Sequence, residues 1–233
     1  MLADLSRWVD EAADIASSGR WAAVNEQIKR LADHPGPDNA WWVEVFASLS
    51  AQTFAEYLAL KRAYQENRGD ASLLAWRARN LLELSVWALY SAKSRDNARR
   101  LFEDAGRDAN DLYDVFSKWG KATAQDADWL DSFTNAKRTL SERATSEGIE
   151  SLDGSFKRVR DAAQECGMGQ HFSLSIKLLS KFAHPTALLI FAPPNEAKTR
   201  LQKDMFYSHG CLYFLGAFNA LEGQLIRLPD APR

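Results

Sequence analysis

Apolar residues recur three and four positions apart along most of the chain, and no segment alternates with the period of two that marks a strand. Leu5, Trp8, Val9, Ala12, Ala13 and Ala16 predict a first helix over Leu2–Ser17, ended by SSGR. A short second helix over Trp21–Leu31 is closed by DHPGPD. Asp38 is placed to cap a third, over about Asn39–Asn67, whose core stripe runs through Trp42, Val45, Phe46, Leu49, Phe54, Tyr57, Leu58 and Leu60. NRGD follows as a turn. Ala71–Ala92 is the most apolar segment and is expected to be central. Ser94–Lys118 alternates in charge sign and predicts a solvated helix with Leu101, Phe102, Leu112 and Phe116 facing in. Further helices are expected over Ala124–Glu147, Phe156–Cys166, Gln170–His184 and Asn195–Leu228. SEGIESLDGS reads as the loosest stretch, and PDAPR as a frayed tail. The fold class is all-α, one helical-bundle-type domain of eight or nine helices. Residues 1–36 form a helical pair packed on a main domain of residues 37–233.

Composition narrows the function classes. The 233 residues are 46% hydrophobic and 26% charged, with 29 basic against 31 acidic side chains and a net charge of −2. That is ordinary for a globular chain and does not indicate a generally basic nucleic-acid binder. Cys166 and Cys211 are too few for a disulfide framework or a zinc site and are expected as free thiols in a reducing cytoplasm. Acidic residues interrupt the N-terminal apolar pattern, so no secretory signal is read there. No apolar run approaches the ~20 residues of a membrane helix. No metal site or cofactor is implied.

Three places carry candidate chemistry. In AWRARNLLELSVWALY, Trp76, Arg79, Asn80, Glu83, Trp87 and Tyr90 share one helix face, with apolar residues elsewhere. Arg79, Asn80 and Glu83 then form a polar island that is expected to be buried, and buried charges need partners. One reading is an ion pair that fixes helix register. The other is a pocket floor where Glu83 serves as acid or base and Arg79 holds an anion.

In LLSKFAHPTALLIF, Ser173, Lys177, Ser180 and His184 lie on one face, opposite Phe172, Leu174, Ile176, Leu178, Leu179 and Phe182. Pro185 should end the helix at His184. The apolar run after it suggests that this helix end turns inward, toward Arg79 and Glu83. The alternative is a solvated C-terminal His favoured by the helix dipole. The third place is the last helix. There His209 on an apolar stripe reads as a satisfied core residue and Cys211 as packing, and Gly210 and Gly216 permit close helix approach. Trp8, Trp21, Trp41, Trp42 and Trp119 read as core and helix-contact residues.

RNLLEL and LSKFAHPTA together resemble an uncharacterised bacterial all-helical family, a domain of unknown function with Arg-x-x-x-Glu on one helix and Ser-x-x-x-His-Pro on a later one. The likeness covers about Trp41 to Gly223 and carries over to Arg79, Glu83, Ser180, His184 and Pro185. It implies an all-α fold with the two motifs together, and no activity. That family is distantly similar to HEPN domains, helical modules of bacterial toxins and phage defence, many of which cleave RNA with Arg-x(4–6)-His. This chain departs from that motif, since no Arg stands at that spacing before any of its four histidines.

Three functions follow as expectations. The first is a helical interaction module or subunit of a bacterial stress or phage-defence system, toxin–antitoxin-like, with a protein partner or a second copy. The second is a metal-independent RNA-cleaving or nucleotide-acting enzyme using His184, Glu83 and Arg79. The third is a sensor of a small anionic ligand. Asn80, Lys177, Ser180 and Tyr90 are candidate ligand contacts.

Overall fold

Capping side chains set where several helices begin. Asp70 accepts from the Leu73 backbone N–H at 2.7 Å, Ser94 from Asn97 at 3.1 Å, and Asp126 from Trp129 at 2.8 Å. In a computed structural model of the chain, the residues described are 2–33, 40–66, 70–184, 186, 190, 191 and 196–226. They form nine helices and no strand: α1 Leu2–Ser17, α2 Gly19–Asp33, α3 Ala40–Gln65, α4 Ala71–Lys93, α5 Arg95–Ala122, α6 Ala127–Ser146, α7 Val159–Glu165, α8 Gly169–Ala183 and α9 Glu196–Ile226. The all-α expectation holds. The cap at Asp38, residues 34–38 of the DHPGPD turn, residues 67–69 of the NRGD turn, Pro185 and the terminal PDAPR lie outside the described residues.

α4 occupies the centre, packed against α3, α5, α7, α8 and α9. α9 is its main partner and is apolar on most sides from Met205 to Leu221, with Phe206, Phe214, Phe218 and Leu221 fully buried. Trp21 stacks on Phe54 with ring centroids 4.5 Å apart, and Tyr57 on Phe214 at 4.1 Å. Truncating one of these buried rings costs about 3–5 kcal/mol. α1 and α2 add Ala12, Ile15, Trp21, Val24 and Ile28 to the same core. Gly210 lets α9 and α3 touch: a Cβ there would stand 2.3 Å from Leu60 Cδ2. Gly216 meets only ordinary contact, with Ser85 Cβ at 4.0 Å.

α5 and α6 form a hairpin whose far half leaves this body. The turn is made by Ala124, which adopts a left-handed φ of 53°, and by the Gln125 N–H, which donates to the Gly120 carbonyl at 2.9 Å. α6 packs mainly on α5 and buries only Ala144 among its side chains. Gly120 sets the approach, since a Cβ there would lie 2.6 Å from Trp129 Nε1.

Candidate functional site

α8 lies along α4, and this brings the two sequence motifs together. The Arg79 Nε donates to Glu83 Oε1 at 3.1 Å, and an Arg79 terminal nitrogen meets His184 Nε2 at 2.8 Å. A guanidinium can only donate, so His184 Nε2 offers its lone pair and the ring proton sits on Nδ1. Arg79 therefore stands between Glu83 and His184, neutralising the first and orienting the second. His184 adopts extended backbone angles (φ −119°, ψ 151°), as a residue before proline prefers, and this ends α8 at Ala183.

The surroundings differ from the sequence reading in two respects. The Arg79 and Glu83 side chains are 29% and 32% exposed, not buried. A pair four residues apart at such exposure contributes about 0.3–0.5 kcal/mol. α4 does not bury its whole circumference: Trp76 is 40% exposed, with the Arg77 guanidinium over its ring at 4.6 Å. His184 is exposed, and so are Ile190 and Phe191 beyond it. The inward turn of that apolar run is therefore not seen at these two residues, and residues 187–189 lie outside the described residues. Packing of α8 along α4, not an inward chain end, delivers His184 to Arg79.

The other candidates separate. Asn80 donates to Glu56 Oε1 at 3.4 Å, beside an Arg77–Glu56 pair at 2.9 Å, so it belongs to the α3 contact and not to the Arg79 group. Ser180 is half-buried and Lys177 exposed. Tyr90 is buried, edge-on to Trp87 and beneath the Lys157 ammonium, and burial pushes its hydroxyl pKa up. Leu174 and Leu178, expected inside, are 64% and 41% exposed, while Phe172 and Leu179 carry the α8 contact. His209 Nδ1 meets the Met205 carbonyl at 2.8 Å, one turn back, which satisfies it in place. Both cysteines are free. Burial pushes the Cys211 thiol to about 12, which removes it as a nucleophile at neutral pH.

Glu83 also lines an open groove of about 490 Å³ with Trp87, Asp104, Asp108, Phe156 and Lys157. Its far wall, residues 156–159, directly follows the segment 146–155 read from sequence as the loosest. That segment is strapped down. Arg107 donates to the Ser151 carbonyl at 3.2 Å, Arg99 to the Glu147 carbonyl at 2.6 Å and Arg100 to the Ser155 carbonyl at 2.5 Å. Asp104 accepts from the Lys157 backbone N–H at 2.8 Å and pairs with Arg107 at 2.7 Å. Asp104 and Arg107 are buried, with 6% and 9% side-chain exposure. The charged face of α5 is thus partly an inside face.

The far half of α5 shows the converse. Leu112, Val115, Phe116 and Trp119 are 36–51% exposed, against the expectation that Leu112 and Phe116 face in; Trp119 makes the helix contact expected of it, with Trp129 of α6 at 5.8 Å between ring centroids. Leu101, Ala105, Asp108, Leu112, Val115, Trp119 and Ala122 are spaced four and three by turns, as the a and d positions of a helical seam are. Leu101 packs on the core and Asp108 edges the groove; from Leu112 onward the seam has left the body. The alternating charges hid this spacing, which was legible in the sequence.

Among the described residues no group of three His, Cys, Asp or Glu is placed to hold a metal ion, and no helix is long and apolar enough to cross a membrane. No family model, no curated protein and no solved structure matches the chain.

Proposed function

We propose that this protein is a helical interaction module that docks a protein through the α5–α6 arm. The observation that carries this is the seam of Leu112, Val115 and Trp119, exposed along an arm whose second helix buries one side chain. Apolar side chains gathered on one exposed face mark a contact site more often than the same residues scattered singly. The setting, a bacterial stress or phage-defence system, comes from the family resemblance. With a photo-crosslinking amino acid at Val115, the expected result is a covalent protein adduct in the native host. An absence of adducts at both Val115 and Trp119, with the variants expressed and helical, would overturn the reading.

A second reading is favoured by the Glu83–Arg79–His184 chain at the groove edge. A phosphate can compete for Arg79, which frees His184 Nε2 as a base, while Glu83 holds Arg79 in place. RNA cleavage would then require His184. Equal cleavage by wild type and His184→Ala, or none by either, sinks this reading.

A further inference from the structure

We infer that a second copy of this chain covers the α5 seam, with the two α5 helices antiparallel about a two-fold axis between Leu112 and Trp119. This deepens the docking-arm reading and rests on it. Three features of the arm select this occupant and this direction.

The first is charge. Asp111 and Lys118 are seven residues apart, so they lie on the same flank of the seam, and both are exposed. In an antiparallel pair a flank meets the same flank of the other helix. Asp111 of each copy then faces Lys118 of the other, and the contact occurs twice. Lys118 also acts on Asp114 of its own helix, which lies near its far edge and is held by Lys137 at 2.7 Å.

The second is obstruction. The opposite flank is occupied by α6, through Phe116 stacked on Phe133 at 5.1 Å and Gly120 against Trp129. A parallel pair needs each flank to meet the opposite one, and α6 blocks that. Two antiparallel arms instead bring the two open flanks together and set the two α6 helices side by side along the other flank, a four-helix arrangement.

The third is Asp108, the one carboxylate in the seam. A parallel pair in register would set two Asp108 side chains face to face. In the antiparallel pair, with the axis at Val115, Asp108 falls opposite Ala122, at the solvent-exposed end where α5 stops. A single polar seam position of this kind fixes register.

Charge reversal tests the pairing, because the two single variants are complementary to each other. Light scattering on a dilution series should give wild type a mass twice that of one chain. Asp111→Lys and Lys118→Glu should each dissociate about tenfold more readily, since attraction becomes repulsion at two symmetric contacts. An equimolar mixture of the two should restore the dimer as a heterodimer, and the double variant should restore it alone. Circular dichroism checks that each exposed-site variant keeps its helices. If Val115→Asp breaks the dimer while the charge variants and their mixture match wild type, the antiparallel register is overturned and the docking arm stands. If wild type stays monomeric while Val115 crosslinks to a different protein, the second copy is overturned and the docking arm again stands. A dimer indifferent to Val115→Asp places the interface elsewhere and overturns the inference outright.

Discussion

Arg79 holds two partners with one planar group, and this makes the tautomer of His184 a structural variable. The Nε2 lone pair is used by Arg79, so the neutral ring must carry its proton on Nδ1. Long-range ¹H–¹⁵N spectra at neutral pH should show His184 with Nε2 unprotonated, and Arg79→Ala should release that preference. A ring protonated on Nε2 in wild type would contradict the contact. Cys211 gives a second prediction at this scale. Its thiol ionises near pH 9 when unfolded and near 12 when folded, because burial disfavours the thiolate. The folded state holds the proton more tightly, so this group's contribution is intact below pH 9 and shrinks as pH rises toward 12. The slope is on the order of 1 kcal/mol per pH unit in that window. Urea midpoints should fall between pH 8 and pH 10.5, and Cys211 should resist thiol reagents until the chain unfolds. Rapid native-state labelling of Cys211 at pH 8 would count against its burial.

At the scale of elements, the two tight glycines should fail differently. Gly210→Ala drives a methyl into Leu60 at the crossing of α3 and α9, so overpacking should cost the whole fold about 1–3 kcal/mol. Gly120→Ala meets Trp129 within the arm. It should raise proteolysis near the 123–126 turn while leaving the main thermal transition within a degree or two. A large drop in that transition would mean that the arm and the body unfold as one. Asp104→Ala should be severe, about 3–5 kcal/mol, because it strands the buried Arg107 charge and releases the 151–157 segment together. A loss under 1 kcal/mol would show that water reaches Arg107. The sequence was most legible for elements of this kind. Period and breakers located all nine helices to within a few residues, since a helix boundary is decided locally by caps, glycine and proline. Side chains decided by a partner far along the chain were not legible: Asn80 went to Glu56 on α3, and the arginines of α5 went to carbonyls of the 147–155 segment. The Arg79–His184 meeting was legible only as two motifs on separate helices, because their contact depends on how α8 lies on α4.

At the scale of the whole molecule, a single core joins α1 through α4 with α7, α8 and α9, and the α5–α6 arm extends beyond it. The seam that docks the first half of α5 continues into the arm, where Leu112, Val115 and Trp119 stay about half exposed. A second copy completes it in the arrangement inferred here. Hydrogen–deuterium exchange read as a function of protein concentration tests this most directly, because it reports where the chain is covered as well as whether it associates. Exchange across 108–122 should slow as concentration rises, while exchange across 71–93 stays constant and Val115→Asp removes the effect. Exchange across 108–122 that is identical at every concentration, in wild type and variant alike, would contradict the account.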